Sequence, residues 1–132
     1  MDKALTALLD DEGALIFVYN ADTGWRQAFW DTLHKYMRPE TYGCNLCKLT
    51  HGPIGPKETW KAFLRDVGRP VHFLHRDEYR QLQAESDLDP MELPAVLRIR
   101  GGRPEILIPA REMNGMDRLE DLVSTIRERL ER

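Results

Sequence analysis

The sequence predicts a single α/β domain, a sandwich with a mixed four-stranded sheet and flanking helices, and three features predict it. Leu15-Ile16-Phe17-Val18-Tyr19 is a continuous apolar run, the pattern of a strand covered on both faces as in a parallel sheet. Segments of helical period separate it from a second such run, Val71-His72-Phe73-Leu74-His75. Two further strands then flank Gly101-Gly102, a hairpin signal, and lead into an amphipathic last helix.

The elements follow in order. Asp2 to Leu9 is expected to form a short helix that ends at Asp10-Asp11-Glu12-Gly13. After the first strand, Asn20-Ala21-Asp22-Thr23-Gly24 breaks the run, and Asp22 or Thr23 can cap a helix. Trp25, Phe29 and Leu33 give that helix its apolar spacing, and Pro39 stops it. Arg38 to Pro56 is the longest irregular stretch and holds both cysteines; a loop that long is usually functional. Pro56 fits the first position of a helix carrying Trp60, Phe63, Leu64 and Val67, closed by Gly68. Asp77 can cap a short helix with Tyr79 and Leu82, and Asp87 to Leu93 is a turn-rich connection. Pro94 leads into Ala95–Arg100, which pairs back with Glu105–Ile108. Leu119, Leu122, Val123, Ile126 and Leu130 define the last helix, with Asp117 and Glu120 as a capping box.

Composition bounds the class. The chain has 132 residues, the size of one domain spanning 1–132, and can bury a core without staples. Its net charge is −3 with mixed signs, so no basic stripe points to nucleic acid and no cationic cluster to a membrane surface. The N-terminus lacks the apolar core of a signal peptide, and no apolar run can span a bilayer. A cytoplasmic protein is expected. Its only two cysteines, three positions apart, read there as redox-active or metal-binding rather than as a disulfide scaffold.

The element order resembles the minimal thioredoxin-like fold over the whole chain. In that family a proline, often cis, precedes the third core strand, and Pro94 stands in that place. The family's redox members carry their dithiol between the first strand and first helix. In this chain that place is Asn20-Ala21-Asp22-Thr23-Gly24-Trp25, and the cysteines follow the helix instead. A second resemblance lies in the motif string. Val18-Tyr19-Asn20-Ala21-Asp22-Thr23-Gly24, then His34-Lys35, then Thr41-Tyr42-Gly43-Cys44-Asn45-Leu46-Cys47 with Thr50 and Gly52, looks like a bacterial family of unassigned function. Its members sometimes carry a GTPase label. This sequence has no G-x-x-x-x-G-K-[ST] loop to wrap phosphates, so GTPase activity is not expected.

Cys44 and Cys47 hold the densest chemistry. A C-x-x-C pair permits a low-strain disulfide, and a nearby cation such as Lys48 lowers a thiol pKa. The leading expectation is a thiol-disulfide redox protein with Cys44 and Cys47 catalytic, acting on a protein or small-molecule thiol or disulfide without a cofactor. Zinc is the alternative: Cys44, Cys47 and His51 are spaced C-x2-C-x3-H, with a fourth ligand from His34, or else from His72, His75 or water. Two cysteines packed as small hydrophobes is the plain structural reading. A small-ligand or partner-binding module is the third functional reading. Ligands of open α/β sheets bind beyond the carboxyl ends of the strands. There the sequence places Asn20, Asp22 and Thr23 after the first strand, His75 after the second, and Pro94 facing them. Capping and turn formation account for most of these residues without any ligand. The long loop must climb back to that edge before the next helix descends, so the cysteines are expected nearer the 20–24 turn than His34.

Overall fold

The computed structural model describes residues 6–21, 45–52 and 55–131. Cys44, Asp22, Thr23, Gly24, His34 and the helix expected around Trp25, Phe29 and Leu33 lie outside them. A 3-10 turn at Ala7–Asp10 overlaps the end of the first expected helix and runs one residue past it. It is followed by β1 (Leu15–Val18), α1 (Asn45–Thr50), β2 (His51–Gly52), β3 (Gly55–Pro56), α2 (Glu58–Asp66), β4 (Val71–Leu74) and α3 (Arg76–Ser86). The chain continues through β5 (Ala95–Arg100), β6 (Arg103–Ile108), α4 (Ala110–Met113) and α5 (Leu119–Leu130).

The main sheet has the order β4-β1-β5-β6. Parallel pairing sets Leu15 opposite Val71 and Val18 opposite Leu74. Antiparallel pairing sets Val18 opposite Ala95, and β6 folds back on β5. Strand β5 therefore runs against the other three, which is the mixed sheet of the thioredoxin-like sandwich. Gly101 and Gly102 turn the last hairpin with φ of 64° and 77°, both in the region a two-residue I′ turn requires. The Leu93–Pro94 peptide at the entry to β5 is cis.

The continuous apolar run of β1 is explained by burial on both sides. Leu15, Phe17 and Tyr19 face α1, α2 and α5 through Leu46, Cys47, Trp60, Phe63, Leu122 and Ile126. Ile16 and Val18 face α3 through Tyr79 and Leu82. Each large side chain so buried stabilises the fold by roughly 1.5–3 kcal/mol. Phe17 meets Trp60 edge-on at 5.0 Å, and Trp60 stacks on Phe63 at 5.5 Å. Helices α1 and α2 both pack on α5. No helix among the described residues is long and apolar enough to cross a membrane.

Several local expectations need correction. Pro56 does not open α2; it pairs with His51 in the small β2–β3 hairpin, and the helix starts at Glu58. His75, not Asp77, is the N-cap of α3, and Glu78 three residues on accepts from its backbone N–H at 2.9 Å. Asp77 sits inside the first turn instead, where its charge suits the helix dipole. At α5 the extended residue is Arg118, so Asp117 lies one position too early to cap, and no side-chain cap bond forms. The stretch expected to be irregular contains α1.

Candidate functional site

The carboxyl ends of β1 and β4 lie at one edge of the sheet, together with the entry to β5 and the exit of β6. Val18 is opposite Leu74 and Ala95, and Ile108 is opposite Val96. Backbone bonds close this edge: Tyr19 N–H donates to the Leu74 carbonyl at 2.9 Å, and Arg76 N–H to the Ala21 carbonyl at 2.8 Å. Residues from α1, from the β1 exit and from the β4 exit meet at this edge.

Helix α1 is held there by its first residue. Asn45 Nδ2 donates to the main-chain carbonyls of Met113 at 2.6 Å and Met116 at 2.8 Å, in the segment that follows β6. Leu46, Cys47, Leu49 and Thr50 turn inward. Cys47 is fully buried, 0% exposed, and its sulfur is disulfide-bonded. The chain has one other cysteine, Cys44, which lies outside the described residues.

Tyr19 is the centre of an aromatic group. Phe73 stacks on it at 6.2 Å with 11° between the rings, and on Phe17 at 5.6 Å. His51 approaches Tyr19 edge-on at 6.0 Å, and His75 lies against it at 6.1 Å. Both imidazoles are oriented by a bond at Nδ1. Thr50 Oγ1 spends its one proton on the Leu46 carbonyl at 2.8 Å, so it can only accept from His51 Nδ1–H at 2.8 Å. Glu78 Oε1 accepts from His75 Nδ1–H at 2.6 Å. In the neutral ring His75 then keeps its lone pair on Nε2. Together with Trp60, Leu64, Lys61 and Pro56 these side chains line a cleft of about 360 Å³. Phe73, 39% exposed, forms its open wall.

The residues expected to bind a ligand do not all share that cleft. His75 lines it, whereas Asn20 lines a separate polar depression of about 260 Å³ with Tyr79, Arg80, Gln83, Met91, Glu92 and Leu93. Pro94 follows directly on Leu93. Burial, reinforced by Asp89, pushes the Tyr79 hydroxyl above its usual pKa. His51, expected as a zinc ligand in the alternative reading, packs on Tyr19. His72 is satisfied within its strand by Asp11, Nε2 to Oδ2 2.8 Å. Among the described residues no three His, Cys, Asp or Glu side chains converge as metal ligands. Two of the four expected ligands, Cys44 and His34, lie outside those residues.

Sequence reasoning missed the aromatic walls. Tyr19, Phe73 and Trp60 read as core residues, and Trp60 is one. The available signal was register: Phe17 in β1, Tyr19 just after it, and Phe73 in β4 fall on one face once the two strands are parallel.

No protein-family model, curated protein or solved structure matches the chain, so its class rests on topology and its chemistry on the side chains at this edge.

Proposed function

We propose that the protein is a thiol-disulfide redox protein in which Cys44 attacks and Cys47 resolves. The observation that carries this reading is Cys47: a sulfur in a disulfide, fully buried, on a helix tied to the carboxyl edge of the sheet. A buried sulfur is reached by another sulfur of its own chain far more easily than by a partner. That favours the resolving role for Cys47.

The electron balance is closed by the two sulfurs and the substrate. The Cys44 thiolate attacks one sulfur of a substrate disulfide, breaks that bond and releases one substrate thiolate. The Cys47 thiolate then attacks Cys44 in the mixed disulfide, forming the Cys44–Cys47 disulfide and releasing the second substrate thiolate. Two electrons pass from the dithiol to the substrate. A small-molecule thiol in a reducing cytoplasm returns the protein to its dithiol state. Partners are proteins or small molecules bearing a thiol or disulfide.

Trapping tests the assignment. The Cys47→Ser variant, incubated with a model disulfide, should accumulate a mixed disulfide at Cys44. The Cys44→Ser variant should form little. Equal trapping by both variants, or none by Cys47→Ser while it stays folded, would reject this division of roles between the two sulfurs.

A further inference from the structure

We infer that the cleft between β1, β4 and α2 is a binding site for a small monocyclic phenol, with His75 Nε2 accepting the hydroxyl proton. The inference is independent of the dithiol.

Shape and surface come first. The cleft, about 360 Å³, lies within the size range of sites for small molecules. Its walls are rings and aliphatic groups: Tyr19 and Phe73 stacked on one side, Trp60 and Leu64 one helical turn apart on the other. Such walls suit a flat ring. The 39% exposure of Phe73 leaves apolar surface that a ligand ring would remove from water.

Charge narrows the class. Among the described residues, Lys61 is the cation at the rim, and both it and His75 already face a carboxylate. Lys61 Nζ lies 3.0 Å from Glu58, and His75 Nδ1 lies 2.6 Å from Glu78. Neither leaves an uncompensated positive charge for a carboxylate or phosphate, so an anionic aromatic gains little from them. Polarity narrows it further. With Nδ1–H committed to Glu78, the neutral His75 ring offers an acceptor at Nε2. An acceptor in an apolar cleft selects a ring that carries a donor. A phenol hydroxyl is the simplest such group on a flat ring.

Ligand-observed NMR and calorimetry on the full chain test this with p-cresol, p-toluate and toluene as probes. p-Cresol should bind, and p-toluate and toluene should each bind at least roughly fivefold more weakly, the loss expected for one missing hydrogen bond. His75→Phe keeps a ring and removes the acceptor; it should abolish the preference for p-cresol over toluene. Phe73→Ala changes an exposed residue and should weaken both neutral probes while the fold, followed by circular dichroism, persists. No binding of p-cresol, tighter binding of p-toluate, or a preference unchanged in His75→Phe would each overturn the inference.

Discussion

Asn45 Nδ2 donates to the main-chain carbonyl of Met113 at 2.6 Å, across 68 positions of sequence. With the second bond to Met116, this one amide fixes the start of the helix that carries Cys47 to the segment leaving β6. Removing it leaves two carbonyls to find new donors at a partly buried site. Asn45→Ala should lower stability by about 1–3 kcal/mol, read from denaturant unfolding. In the reduced protein it should also speed alkylation of Cys47. Unchanged stability and unchanged alkylation would show that α1 is held by its apolar face alone.

The two aromatic residues of the cleft should behave differently. Trp60 is 1% exposed and packs against Phe17 and Phe63. Trp60→Ala should cost about 3–5 kcal/mol. Phe73 stands on the edge strand and is partly open, so Phe73→Ala should cost much less. A thermal or denaturant comparison of the two variants checks the ordering. Equal losses would mean that Phe73 is part of the core.

Acid should loosen the packing of α4 on α5. Arg129 Nη1 donates to Glu112 Oε1 at 3.0 Å and to the Leu107 carbonyl at 2.8 Å. The hydrogen bond from Arg129 holds the Glu112 carboxyl below its usual range, and Arg129 is raised in turn. A carboxyl with a depressed folded-state pKa adds stability that is present above its unfolded value, 4.5, and is lost as pH falls through the folded one. The pair is partly solvated, so the gain is on the order of 1 kcal/mol or less. Glu112→Gln should be less stable than the parent at neutral pH, and the gap should close as the pH falls below 4.5. A gap that does not narrow would assign the effect to packing rather than charge.

Much of the scaffold was legible because its signals are local. The apolar run at Leu15–Tyr19, the glycine pair at 101–102 and the spacing of Leu119, Leu122 and Ile126 each specify an element by period or turn chemistry. Pro94 marked the entry to β5 by position alone. The site was less legible because it is made by register and by side-chain bonds. Whether Tyr19 meets Phe73 depends on the parallel alignment of β1 with β4. That His75 both caps a helix and lines a cleft depends on Glu78, three residues on, holding its backbone N–H and Nδ1. The caps expected at Asp77 and Asp117 failed for a related reason. Each is a good capping residue, but the backbone turns helical at Arg76 in one case and at Leu119 in the other. Helix α1 is short, and its inward face is set by tertiary contacts that no local period announces.

The dithiol itself is best tested by equilibrating the full chain in glutathione buffers of graded potential and counting free thiols by alkylation and mass spectrometry, with bound zinc measured in the same samples. The redox account expects Cys44 and Cys47 to gain and lose reactivity together, in one two-electron step with a single midpoint, and no stoichiometric metal. Thiols that stay free at every potential, or a metal bound one to one that protects both of them, would contradict it.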